Sequence, residues 1–202
     1  MHEPAAPPIT ITPLTRLQFR AELPHLVDLY IAAMGYDTAL RAQRITAWEE
    51  DSHLPGFAAY AAVDTATETI VGIAYGFPAR LDGWWHGQVY RGVRARLLLT
   101  QDLHHLLTTY FEVAEIHVAT PWRGRGLGRR LLTALLAATS CPHALLSTPE
   151  VPDENNHAFH LYRALGFRDL IRNFRFSSDH RDFAILVRPL PLTEPHPGPS
   201  PR

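Results

Sequence analysis

The sequence predicts a mixed α/β domain, and three observations carry that expectation. Strand-like runs occur before, between and after segments of helical periodicity, which argues for one layered α/β unit. Of 202 residues, 46% are hydrophobic, enough for a sizeable core and too many for a disordered chain. No internal repeat runs through the chain. The expected organisation is a flexible lead over residues 1–8, a single domain over 9–190, and a Pro-rich tail over 191–202 that cannot form ordinary helix or sheet.

The elements follow in order. "ITITPLT" at Ile9–Thr15 alternates as a strand does. Leu23–Met34 and Thr38–Asp51 read as two helices, with Asp37 a cap for the second. "GFAAYAAVD" and "ETIVGIAYGF" read as two strands joined by the polar turn Thr65–Thr67. Residues 81–109 interrupt the plan as an insertion after the third strand. It opens with "DGWWHG", read as a turn carrying Trp84 and Trp85. Val89, Val93 and Leu97, then Leu99, Leu103 and Leu106, suggest one or two helices, and the insertion reads as a lid. "YFEVAEIHVAT" at Tyr110–Thr120 is a further strand, followed by helical spacing at Leu127, Leu131, Leu135 and Ala138. "HALLST" at His143–Thr148 is a short strand. Asn155–Leu165 reads as a helix with Gly166 as its left-handed cap, and "FRDLIRNFRF" and "DFAILVRPL" close the fold as strands.

Composition excludes several classes. A formal net charge of -1 argues against a general nucleic-acid binder, although Arg91, Arg94 and Arg96 and the arginines after Thr120 are locally basic. No apolar run approaches the roughly 18–20 residues of a membrane span, and the N-terminus has no signal-peptide pattern. One cysteine, Cys141, rules out an internal disulfide framework and reads as structural. The expected setting is cytoplasmic. Twelve histidines raise the question of a metal, but none stands in a recognisable ligand spacing, so no metal is expected.

"TPWRGRGLGRRLLTALL" at Thr120–Leu136 carries the chemistry. A helix start leaves unpaired N–H groups and partial positive charge, and a phosphate can sit there. Gly124, Gly126 and Gly128 remove side chains that would block approach, and Arg123, Arg125, Arg129 and Arg130 add charge. The P-loop fails, because Arg129-Arg130 stands where Lys-Ser/Thr is needed, and the dinucleotide pattern fails, because Arg129 stands where its last Gly belongs.

"RGRGLG", Arg123–Gly128, resembles the Arg/Gln-x-x-Gly-x-Gly/Ala signature of the GNAT superfamily of N-acetyltransferases. "NNHAFHLYRALGF" resembles that family's second signature through Asn155, Ala158, Leu161, Tyr162, Gly166 and Phe167. The resemblance covers Ile9 to about Leu190 and departs from the minimal pattern at the insertion. It implies a central, mostly antiparallel sheet of about seven strands with flanking helices. It implies acetyl-CoA as cosubstrate and a primary amine, of a small molecule or a peptide, as acceptor. It further implies a splay between the strand ending at Val118 and "HALLST", with the pantetheine arm against main-chain groups of His117, Val118 and Ala119. The pyrophosphate then rests on the amides from Arg125 through Leu127 to Arg129, with Asn155 also facing the cofactor. Family members often dimerise, so a homodimer is an expectation of the same kind.

Acid and base follow from the reaction. A free alkylamine has a pKa of roughly 10 and attacks a thioester only when neutral, so a base is useful. Tyr162 matches the family's general-acid tyrosine and lies seven residues after Asn155, on the same face if one helix holds both. Glu115, mid-strand in an apolar run, is the candidate base, with His117 on its face as a possible relay partner. Strand alternation puts Glu112 on the opposite side. Trp84 and Trp85 are candidates for an aromatic wall around the acceptor. Trp48, Glu49, Glu50 and Asp51 end the second helix, where acidic groups attract a cationic amine. A non-catalytic acyl-CoA-binding module is the alternative reading, and Tyr162 argues against it, since cofactor binding alone needs no acid.

Overall fold

The computed structural model describes residues 9–96, 99–177 and 179–192. The lead, Leu97 of the expected helical spacing, and the tail beyond Leu192 lie outside these residues. Strands β1 (Ile9–Leu14), β2 (Ala58–Asp64), β3 (Thr69–Pro78), β4 (Tyr110–Val118), β5 (His143–Pro149), β6 (Arg168–Phe174) and β7 (Phe183–Pro189) form one sheet in the order β1-β2-β3-β4-β5-β7-β6. Every neighbouring pair is antiparallel except β4 and β5. That parallel pairing is short: Tyr110, Phe111 and Glu112 meet His143, Ala144 and Leu145, and the strands then part.

Helix α1 (Arg16–Met34) starts two turns earlier than the periodicity suggests. Thr15 and Gln18 form a reciprocal capping box there, which satisfies two otherwise orphaned amides and sets the start ahead of Pro24. Asp37 caps a single 3-10 turn at Thr38–Leu40, which leads into α2 (Arg41–Ser52). The insertion forms two helices, α3 (Trp84–Arg96) and α4 (Gln101–Thr108). "DGWWHG" is therefore not a turn throughout, since both tryptophans sit in the first turn of α3. Helix α5 (Leu127–Ala137) and helix α6 (His157–Ala164) complete the set.

Parity along the strands divides the core. Ile73, Tyr75 and Phe77 of β3 pack with Phe19, Tyr30 and Trp48 under α1 and α2. Leu145 and Ile185 face the same way and pack with Val89, Val93 and Leu107 under α3 and α4. Ala144, Leu146, Ala184 and Leu186 face oppositely and pack with Leu131, Leu135 and Phe159 of α5 and α6. One face of the sheet thus carries two helix pairs side by side, and the other carries α5 and α6. The insertion is a core-forming layer with its own apolar cluster, which explains why its leucines and valines keep helical spacing.

Candidate active site

A bulge in β4 corrects the alternation argument. Tyr75 pairs with Glu115 and Gly76 with Val113, so Ala114 has no partner of its own on β3. A bulge flips the side-chain parity beyond it. Glu112 lies opposite Phe77 and Glu115 opposite Tyr75, so both carboxylates share the face that carries α1 and α2. Gly76 is needed where this happens, because a Cβ there would collide with the Glu112 carbonyl and the Phe111 ring. The signal in the sequence was the glycine in an apolar strand, which often marks a bulge.

Both glutamates line a cleft of about 1110 Å³ that runs over the splay between β4 and β5. Asp51 of α2, Tyr30 of α1, and Trp84 and Trp85 of α3 line the same cleft, as does Tyr162 of α6. Of the acidic run ending α2, Trp48 and Asp51 reach the cleft, while Glu49 and Glu50 are exposed and outside its lining.

The carboxylates differ. Glu112 is only 8% exposed, and burial, with Asp51 and Glu115 adding like charge, pushes its pKa up to about 8. Burial raises Asp51 to about 6 despite the 3.0 Å hydrogen bond it accepts from the Tyr75 hydroxyl. Glu115 lies 2.6 Å from Nε2 of His117, so the expected relay pair is in contact. The His117 ring in turn sits edge-on to Tyr30 at 5.0 Å. The Tyr162 pKa is raised, first by burial and then by the Glu115 charge, so the phenol stays protonated in the neutral range.

At the other end, Gly124 and Gly126 hold φ of 75° and 74°, the left-handed region. A Cβ on either would meet no protein atom within 4 Å, so backbone conformation and an outside visitor, not packing, favour glycine. Gly128 differs: a Cβ there would stand 3.2 Å from Leu161, so this glycine lets α5 approach α6. Gly126 is the N-cap of α5 and supplies no side-chain cap, which leaves the amides of Leu127, Gly128 and Arg129 at an open helix start.

The expected cofactor set separates. His117, Val118, Gly124, Gly126, Leu127, Gly128 and Arg129 line the cleft. Arg123 lines it too, but its guanidinium is committed to carbonyls, donating to Val118 at 3.1 Å and Ala33 at 2.9 Å. Arg125 folds over the Trp122 ring at 4.8 Å, and Ala119 donates its N–H to Val71 at 2.9 Å; neither lines the cleft. Asn155 also falls outside, because α6 begins at His157 with Asn156 as its cap. Asn155 and Tyr162 therefore do not share a helical face, and Asn156 is the asparagine at the cleft. The second asparagine of "NN" wins because its Oδ1 reaches the Phe159 amide at 2.8 Å, the geometry of a helix cap.

The two tryptophans also separate. Trp85 donates its indole N–H to Ser147 of β5 at 3.2 Å, tying α3 to the sheet. Trp84 is 53% exposed and stacks on Phe176 at 5.4 Å at the cleft rim. Among the described residues, no group of three or more His, Cys, Asp or Glu is placed to hold a metal ion, and no helix is long and apolar enough to cross a membrane.

A family model described as an acetyltransferase (GNAT) domain matches residues 43–169, a span that holds the bulge, the glycine turn and α6. The chain belongs to the GNAT acetyltransferase family. This GNAT enzyme is 38% identical over 186 residues to the GCN5-like protein acetyltransferase Rv2170 of Mycobacterium tuberculosis, covering 82% of this chain and 90% of the relative. Its fold matches that of the ribosomal-protein-S18-alanine N-acetyltransferase of Escherichia coli, with TM-score 0.59, 15% identity, and 95% and 98% of the two chains covered. It also matches Arabidopsis thaliana NAA60 in complex with a bisubstrate analogue, with TM-score 0.58, 15% identity, and 92% and 100% covered. The GNAT chain is thus an acyltransferase built on the seven-stranded fold its sequence implied.

Proposed function

We propose that the enzyme moves an acetyl group from acetyl-CoA to a primary amine by direct transfer within a ternary complex. The supporting observation is the bulge at Ala114, which gathers Glu112 and Glu115 on one face of β4 beside the splay, with Tyr162 lining the same cleft. When bound, acetyl-CoA supplies the thioester carbonyl that the amine attacks. The residues present fit it: the open amides of Leu127, Gly128 and Arg129, with the Arg129 guanidinium, suit the pyrophosphate. The edge of β4 freed from β5 beyond Glu112, at His117 and Val118, offers main-chain groups to the pantetheine arm.

Glu112 is the base in this reading. A general base works best with a pKa near the operating pH, and Glu112 at about 8 meets that condition. Glu115, held by His117, orients the incoming amine, and the proton taken by Glu112 leaves to solvent. Tyr162, kept protonated, donates to the departing sulfur. Structural neighbours named as N-acetyltransferases support an amine as the acceptor.

Glu112→Gln keeps the shape and removes the base. Its kcat/KM for an amine should fall by about 10²–10⁴, and the rise in rate through about pH 8 should vanish. Acetyl-CoA affinity, read by calorimetry, should hold. Wild-type turnover by this variant across the pH range would remove Glu112 as base.

A further inference from the structure

The cleft has a basic corner that transfer to a simple amine does not use. Arg44, Ala47, Trp48 and Asp51 recur at helical spacing along the cleft-lining face of α2. The cation stands at one end and the acid at the other, roughly 10 Å apart along the helix axis. The Arg44 guanidinium lies over the Tyr30 ring at 5.5 Å, and its Nε is buried without a hydrogen-bond partner. Among the described residues no carboxylate pairs with it. Arg44 is only partly buried and lines the cleft, so a ligand oxygen there would meet a guanidinium that no carboxylate yet engages.

Arg181 stands in the same corner. It lines the cleft from the β6–β7 connection, with its guanidinium over the Tyr36 and Phe183 rings at 5.5 and 5.3 Å. Asp179 and the Tyr36 hydroxyl hold it in place, at 2.6 and 2.9 Å from its Nη2. Tyr36 packs on Tyr30 at 5.4 Å, and the Tyr30 hydroxyl feels both guanidiniums and the Glu115 carboxylate. Asp179 offsets the Arg181 charge, which leaves Arg44 as the cation of the corner without a carboxylate partner among the described residues. The other charged or titratable groups of this part of the cleft include Asp51, Glu112, Glu115 and the His117 ring that touches Glu115, with Arg80 at their edge.

We infer that the acceptor is an amine that also carries a carboxylate, bound with its ammonium among Asp51, Glu112 and Glu115 and its carboxylate at Arg44 and Arg181. This rests on the acetyl-transfer reading above and adds the class of acceptor. The same chemistry is offered by a free amino acid and by an acidic side chain near the reacting amine of a peptide.

The test is a CoA-release assay on the full chain with ω-amino acids of increasing length, each beside its carboxamide. Two peptides with glutamate or glutamine next to the reacting lysine form the second arm. Acids should exceed their amides in kcat/KM by tenfold or more, with an optimum longer than glycine, and the arm with the higher kcat/KM identifies the source. Arg44→Gln, checked for an unchanged melting curve, should bring the acid-to-amide ratio toward one, and Arg44→Glu should favour diamines. Equal use of acids and amides, or an Arg44→Gln loss that scales both alike, overturns the inference and leaves acetyl transfer intact. If nothing turns over, acetyl transfer to amines fails, and calorimetry of 6-aminohexanoate against CoA-loaded protein decides the corner. Binding lost in Arg44→Gln upholds it, and no binding overturns it.

Discussion

Single side chains carry the chemistry, and Glu112 shows how burial sets one. Its folded pKa of about 8 lies above its ordinary 4.5, so the folded state holds the proton more tightly than the unfolded chain. Stability therefore falls as pH rises through that window, and the cost is complete above it. Asp51 acts in the same direction between 3.8 and about 6. Glu112→Gln should thus melt close to wild type near pH 4 and several degrees above it near pH 9, where a gain of 1 kcal/mol raises Tm by about 2–4 °C in a domain of this size. Melting curves at the two pH values check this, and a Tm gap independent of pH would mean that the carboxyl is solvated. A side chain chosen for stability alone would not sit there. The cost is consistent with a group kept for what it does to protons.

Elements decide what each of two adjacent residues in the cleft does. Trp84 and Trp85 are neighbours in sequence, yet the first turn of α3 sends one to the rim and the other to Ser147. Trp84→Ala should raise the acceptor KM several-fold, since an aromatic contact is worth about 0.5–1.5 kcal/mol beyond its area, with Tm nearly kept. Trp85→Ala should lower Tm and disturb both substrates together. Kinetics and melting on the two single variants separate the roles, and identical behaviour would collapse the distinction. The same logic explains what the sequence concealed. Periodicity located α5 because Leu127, Leu131 and Leu135 repeat on one buried face. It missed the start of α1 because the Thr15–Gln18 box acts through side-chain hydrogen bonds that apolar spacing does not report. It placed Glu112 on the wrong face because strict alternation has no term for an extra residue. The resemblance pointed to Asn155, while the cap of α6 is Asn156, because capping is decided by where the backbone turns, which adjacent identical residues do not reveal.

At the scale of the whole molecule, the order of strands and the two signatures at Arg123–Gly128 and Asn155–Phe167 were enough to expect the sheet, its splay and the glycine turn that opens α5. The basic corner was not legible, because Arg44 and Arg181 lie far apart in the chain and meet only through Tyr30 and Tyr36. The short parallel pairing of β4 with β5 has a consequence for motion. The sheet is two antiparallel halves, β1 to β4 and β5 to β6, joined along one seam by three residue pairs. Backbone amides beside such a seam open without global unfolding and exchange with solvent early. A cosubstrate bound across the parted edges, as proposed above, would stitch the halves together, and a ligand that binds only the closed form withdraws the open one by mass action. Deuterium uptake along Val113–Val118 and Leu146–Pro149 should slow on adding acetyl-CoA, more than in the β1–β2 hairpin. Equal slowing everywhere would make the ligand a general stabiliser. The seam would then be a rigid spine, and the enzyme would not breathe along its own binding site.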